Sequence, residues 1–182
     1  MKNTVGSGGF INPKAVISQL QIKPGARVAD LGCGHGYFTI PLAKMVGETG
    51  RVWAVDVLPA ALAEVENRAL AENLKNIETV RGNLEKEGGA PIGNAECDFV
   101  ILANTLYQSQ QKEAILKEAL RILRIQGRLV VIDWRADDLT IGPREGWRLG
   151  AVELKELAKK QGALFLQNLP TGNFHYGLIF VK

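Results

Sequence analysis

The chain has 182 residues, 46% of them apolar and 23% charged, the composition of an ordinary soluble globular protein of about one domain. Its 22 basic and 19 acidic residues leave a formal charge of +3, too mild for a nucleic-acid binder, whose basic residues gather in a patch or stripe. No apolar run approaches the ~20 residues of a membrane span, residues 1–10 hold no apolar signal core, and Cys33, Cys97, His35 and His175 lack metal-ligand spacing. The expectation is a cytoplasmic protein with no metal, membrane or nucleic-acid partner.

Taken in chain order, Asn12 reads as a helix N-cap and Pro13 as the first helical residue, opening a helix over 13–20. Lys23-Pro24-Gly25 makes a turn into a short buried strand, Arg27–Leu31, and a glycine-rich loop, 32–36, leads into a helix over 37–47 that Gly47 stops. A second strand, Arg51–Asp56, is followed by Pro59, which opens a helix over 59–74 with Leu62, Val65, Ala69 and Leu70 on one face. A third strand spans 76–81, and Cys97–Ala103 is apolar enough for burial on both faces. Next come a helix over 112–123, with Ile115, Leu116, Ala119, Leu120 and Leu123 as its stripe, and a fifth strand over 128–134. Residues 135–150 show no period; a helix over 152–161 ends at Gly162, and strands over 164–169 and 174–181 flank the turn 170–173 as an antiparallel hairpin. Alternating strands and helices predict one α/β domain, a mainly parallel sheet with helices on both faces and a hairpin at its C-terminal edge.

In open α/β sheets, ligands bind beyond the carboxyl ends of the strands, where the winding reverses. That rule points to Asp30-Leu31-Gly32-Cys33-Gly34-His35-Gly36, whose glycines allow sharp turns and close approach of a ligand. A dinucleotide GxGxxG fingerprint would need glycine at 37, where Tyr37 stands, and no cation is ready for phosphates. Asp30 lies near the end of a buried strand, where an unpaired carboxylate is costly. Asp56 closes the second strand, where a carboxylate can accept from both hydroxyls of a ribose. A helix cap is the competing role, but Pro59 at the first helical position gives the cap to Leu58. Asn83, in Arg81-Gly82-Asn83, can donate to and accept from an adenine edge; Gly-Asn is also plain turn chemistry.

VADLGCGHGYFT, VWAVD, RGN, CDFVILANTLYQ and LRILRIQGRLVVID, in that order, resemble the class I S-adenosylmethionine-dependent methyltransferases, and among them the small bacterial types akin to the quinone-biosynthesis and arsenite-methylating groups. The resemblance covers about 23–182 and leaves 1–22 as an N-terminal helix and lid segment. It implies a Rossmann-like seven-stranded sheet of order 3-2-1-4-5-7-6 with the seventh strand antiparallel, and S-adenosylmethionine as cofactor. Carried over by position, Asp30, Gly32, Cys33, Gly34 and Gly36 would hold the methionine part, and Asp56 the ribose hydroxyls. Val57 and Leu58 would lie against the adenine, Asn83 with Leu84 would read its edge, and Ala103 with Asn104 would meet the methionine amino group. Asn83 departs from the Asp common at its position but keeps an acceptor oxygen. Residues 6–10 read either as a lid or as a tail.

Methyl transfer needs alignment, dryness and, for some acceptors, removal of a proton. By position Tyr107, Asp133 and His175 are the base candidates, with Trp134 beside them. Each has a plainer role open to it: packing for Tyr107, a loop anchor for Asp133, a satisfied rim histidine for His175. Arg135, Arg144 and Arg148 suit either recognition of an acidic acceptor or pairing with Asp137, Asp138 and Glu145. Two cysteines do not supply an arsenite site, and ANTLYQ stands where amine-methylating enzymes of nucleic-acid bases carry a Pro-Pro motif. The expected acceptor is a small molecule, handled by a monomer or homodimer. A non-catalytic S-adenosylmethionine-binding protein and an NAD-dependent oxidoreductase are the competing readings.

Overall fold

A computed structural model describes residues 10–137, 141–144 and 146–182. Asn12 caps α1 (Pro13–Ile17) by accepting from the Ala15 amide, with Pro13 at the first helical position. The remaining elements are β1 (Arg27–Leu31), α2 (Thr39–Val46), β2 (Arg51–Asp56), α3 (Pro59–Ala71), β3 (Ile77–Arg81), β4 (Cys97–Ala103), α4 (Lys112–Ile122), β5 (Leu123–Trp134), α5 (Ala151–Lys160), β6 (Leu164–Asn168) and β7 (His175–Val181). A single 3-10 turn, Leu106–Gln108, follows β4. The strands form one sheet of order β3-β2-β1-β4-β5-β7-β6. Strands β1 to β5 pair in parallel, and β7 runs antiparallel to both β5 and β6. This is the order, and the antiparallel seventh strand, that the family resemblance implies.

Both faces of the sheet are covered, which is why its central strands are apolar without alternation. On one face Val28, Val52, Ile101 and Val130 meet Val16 and Ile17 of α1 and Leu42 and Val46 of α2. Leu62 and Val65 of α3 continue that layer over Ala54. On the other face Leu31, Val100, Leu102 and Val131 meet Leu116, Ala119 and Leu120 of α4 and Leu154 and Ala158 of α5. No helix among the described residues is long and apolar enough to cross a membrane.

Two departures from the sequence expectation have physical causes. The apolar stripe of α4 runs to Leu123, but that residue pairs with Cys97 and opens β5 five residues before the expected start at Arg128. The C-terminal turn of α3 ends at Ala71 rather than 74, with Asn73 at φ +54 reversing the chain. The long 83–95 connection has no regular structure of its own. Glu118, 1% exposed on the inner face of α4, accepts from the Gly88 and Ala90 amides and from Arg121, which itself donates to the carbonyls of Ala90 and Ile92.

Candidate functional site

The winding reverses between β1 and β4, and their carboxyl ends open the crevice predicted for a ligand. The loop after β1 is pinned across its neighbour: the Gly32 and Cys33 amides both donate to the Val55 carbonyl, at 2.8 and 3.0 Å. Gly32 has φ +74, and a Cβ there would lie 2.7 Å from the Thr105 hydroxyl, which donates to the Leu31 carbonyl. Only glycine fits that contact. At Gly34, by contrast, a Cβ would meet open space, so the chain there is bare on its outer side. Gly36 lies behind the loop against Val65 and lines no cavity found at the crevice.

Two cavities flank this loop and share Gly32, Gly34, His35 and Gln108. The first, about 470 Å³, brings Asp56, Val57, Leu58, Asn83 and Leu84 together as the sequence predicts, and adds Glu85 and Ser109. Asp56 holds the two sides of the site in register: Oδ2 accepts from the Gly34 amide and Oδ1 from the Leu58 amide, each at 2.9 Å. Leu58 is the α3 N-cap residue, so Asp56 supports the helix start from two positions earlier. Val57 and Leu58 are 52% and 61% exposed, an apolar shelf beside that carboxylate. The Asn83 Oδ1 accepts from the Glu85 amide at 3.0 Å, an Asx turn that leaves the amide nitrogen as the group facing outward interactions.

The second cavity, about 510 Å³, takes in Asp30, Cys33, Ala103, Asn104, Tyr107 and His175. Asp30 is 2% exposed and accepts from the Thr39 hydroxyl at 2.6 Å, the partner its burial demands. Burial raises its pKa to about 6, against the lowering effect of Thr39. Asn104 stands at φ +56 with Oδ1 buried and without a partner among the described residues. A strained backbone and an orphaned acceptor at one residue mark a place shaped for a ligand. Burial pushes the Cys33 thiol far up and leaves it inert.

The three base candidates separate. Asp133, 1% exposed, lines neither cavity; its carboxylate accepts from the Trp134 amide at 2.8 Å and from the Tyr107 amide at 3.2 Å, fastening the 3-10 turn to β5. Burial still raises its pKa to about 6. Tyr107 lines the second cavity, and partial burial holds its hydroxyl above the ordinary phenol range, so it is a donor at neutral pH. His175 lines the same cavity at 4% exposure, with both ring nitrogens buried and unpartnered among the described residues. Burial, with the Arg148 charge adding to it, lowers its pKa to about 4, so the ring is neutral at pH 7.

Trp134 and Arg148 carry roles the sequence does not signal. The Trp134 ring packs 4.2 Å from His175, centroid to centroid, and Arg148 lies over it at 5.7 Å. Arg148, 9% exposed, donates to the carbonyls of Arg135, Ile141 and Pro143 and gathers the described part of the loop around Trp134. Arg135 pairs with Asp137 at 2.7 Å, one of the pairings expected, while Asp138, Glu145 and residues 6–9 lie outside the described residues. Phe10 does line the second cavity and packs 5.6 Å from Phe174.

A methyltransferase-domain family model matches residues 22–170. The chain is 29% identical over 136 residues to the demethylmenaquinone methyltransferase of Bacillus mycoides (strain KBAB4), covering 75% of this chain and 56% of that protein. It thus spans little more than half the length of this relative. Among solved structures, a SAM-dependent methyltransferase from Aquifex aeolicus superposes with a TM-score of 0.84 at 25% identity, covering 94% of this chain and 89% of that one. An arsenic(III) S-adenosylmethionine methyltransferase from Chlamydomonas reinhardtii superposes with a TM-score of 0.70 at 24% identity, over 86% and 63% of the two chains, a likeness of fold alone. With the sheet order, the pinned glycine loop and a match running from 22 to 170, the chain belongs to the methyltransferase-domain family, the class I S-adenosylmethionine-dependent methyltransferases.

Proposed function

We propose that the chain transfers a methyl group from S-adenosylmethionine to a small-molecule acceptor. The observation that carries this reading is the pair of cavities meeting at Gly32, Gly34, His35 and Gln108, with a carboxylate at one end and orphaned polar atoms at the other. The residues suit the cofactor. Asp56 keeps lone pairs beyond its two backbone bonds and can accept from two ribose hydroxyls. Val57 and Leu58 offer the apolar shelf that a flat base covers, and the adenine edge falls to the Asn83 amide nitrogen and the Leu84 backbone. In the second cavity the Asn104 acceptor and the Asp30 carboxyl suit an α-ammonium, with Gly34 and Ala103 leaving room for its chain.

Bound S-adenosylmethionine supplies a methyl group already activated on a sulfonium. The chain's own work is alignment and exclusion of water. Asp133 is a positioning residue, setting Tyr107 and Trp134 through their amides. Phe10, Ile11 and Pro13 wall the second cavity from the N-terminal side. The relatives named for demethylmenaquinone support a small organic acceptor. Calorimetry tests the reading: heat is expected with S-adenosylmethionine and with S-adenosylhomocysteine, and none with a nicotinamide dinucleotide. Heat with the dinucleotide alone would overturn it, and release of S-adenosylhomocysteine with an acceptor panel separates an enzyme from a passive binder.

Asp30 adds a pH dependence whose sign follows from its raised pKa. Between about pH 4 and 6 the folded chain holds a proton on Asp30 that the unfolded chain has lost. Its contribution to stability is therefore present at low pH and lost as pH rises through about 6. A cationic ligand group beside Asp30 favours the ionised form, so cofactor binding releases this proton. Affinity is expected to rise from pH 5 to 7 by several-fold, approaching tenfold per pH unit below the pKa. Titrations in buffers of different ionisation enthalpy check the proton count; the Asp30→Asn variant should flatten the profile.

A further inference from the structure

The second cavity is rich in aromatic side chains: Phe10, Tyr37, Phe38, Tyr107 and Trp134 line it, and no lysine or arginine lies among its described lining residues. Arg148, 5.7 Å from the Trp134 ring, donates from its guanidinium to the carbonyls of Arg135, Ile141 and Pro143. The carboxyl on this lining, Asp30, is bound to Thr39. An acidic acceptor would find no protein cation among the described residues of this wall, only the cofactor's own sulfonium, so a carboxylate or phosphate is poorly served by the chain itself. Among the described residues, one buried polar group besides Asn104 lines this cavity without a protein partner, and it is the imidazole of His175. A neutral imidazole keeps one acceptor nitrogen, and its donor nitrogen points the other way, so its complement as a methyl acceptor is a group that gives it a hydrogen bond and still holds a lone pair for the methyl. A hydroxyl does so. A methyl ether, a carboxylate and an ammonium each lack one of the two capacities.

We propose that the acceptor is an uncharged hydroxyarene, methylated on oxygen, with its hydroxyl hydrogen-bonded to His175 and its ring against Trp134. This rests on the methyl-transfer reading above and specifies its substrate. As the oxygen–carbon bond forms, the methyl–sulfur bond breaks and sulfur keeps the bonding pair. The hydroxyl proton passes to the acceptor nitrogen of His175. The resulting imidazolium lies against the Trp134 ring, whose face attracts a cation, and it then loses its proton to solvent. Among the described residues, Arg148 acts electrostatically on His175, and Tyr107 after β4 and Asp30 from β1 share its cavity. The first of these, with burial, keeps the ring unprotonated and ready to accept at neutral pH.

Naphthol, methoxynaphthalene and naphthoate form a size-matched panel for the chain loaded with S-adenosylhomocysteine, read by calorimetry and by quenching of tryptophan emission. Naphthol is expected to bind at least tenfold tighter than its methyl ether, and naphthoate more weakly than either. In His175→Phe the ratio of naphthol to ether should fall to about one, measured beside the variant's melting temperature so that a loss of fold is visible. With S-adenosylmethionine, wild-type product should carry the methyl on oxygen, located by fragmentation in mass spectrometry. Equal wild-type affinities for naphthol and its ether, or a methyl found on a ring carbon, would overturn the proposal. Absence of heat with S-adenosylhomocysteine itself would instead overturn the methyl-transfer reading, so the two failures are told apart.

Discussion

Replacement of Asp56 by alanine is expected to lower affinity for S-adenosylmethionine by about two orders of magnitude. A hydrogen bond to a charged group contributes roughly 1.5–3 kcal/mol, and in the proposed site two ribose hydroxyls would share this carboxylate, so a loss of about 2.8 kcal/mol, or a hundredfold, is a moderate expectation. The substitution also removes the acceptor for the Gly34 and Leu58 amides. Both become open to water when the side chain shrinks, so the cost to stability should stay near that of a lost cap, about 1 kcal/mol. Calorimetry with both S-adenosylmethionine and S-adenosylhomocysteine separates the possibilities. The ribose is common to the two ligands and the sulfonium charge is not. Equal losses place the effect on the ribose; a loss confined to the charged ligand would show Asp56 acting as a distant counter-charge and remove the ribose assignment.

The cofactor side of the crevice was legible because its signals are local. β1, β2 and β4 have the limits the sequence predicts, since glycine or charge bounds β1 and β2 at both ends and Glu96 and Asn104 bound β4. Gly32, Asp56 and Asn83 sit within two residues of strand ends, and a parallel sheet brings those ends to one edge without further information. The acceptor side was less legible. The 3-10 turn of Leu106–Gln108 is held by Asp133 of β5, far along the chain, which accepts from the Tyr107 amide. Arg148 reads in sequence as a surface cation, yet it is 9% exposed, and its partners are backbone carbonyls, which leave no mark on residue type. The early start of β5 has the same origin: nothing in Leu123-Arg124-Ile125-Gln126 breaks the helical stripe, and pairing with Cys97 decides the matter.

Glu118→Ala is expected to destabilise the chain by about 3–5 kcal/mol, the cost of breaking a buried ion pair from one side. A glutamate on the apolar face of a helix is the signal in the sequence, and its explanation lies some thirty residues away. Glu118 receives the Gly88 amide at 3.0 Å, the Ala90 amide at 2.8 Å and two bonds from Arg121 at 2.8 Å each. Burial pulls its pKa upward, but Arg121 and the two amides outweigh that and set it below the ordinary glutamate value. The sign follows: this group's contribution is present at neutral pH and is lost as pH falls through its depressed pKa. With Glu118 gone, Arg121 keeps its bonds to Ala90, Ile92 and Asn94 but stands partly buried with only the weaker, unbonded charge of Glu87 to offset it. Urea denaturation should show a lower midpoint with an unchanged slope. The double variant Glu118→Ala with Arg121→Met should lose less than the two single losses added together, because the second change removes the uncompensated charge. The connection freed by this loss carries Asn83 and Leu84, so cofactor affinity should fall in Glu118→Ala even where the variant remains folded. An unaltered affinity in a destabilised variant would mean that the adenine side of the site is held from β3 alone.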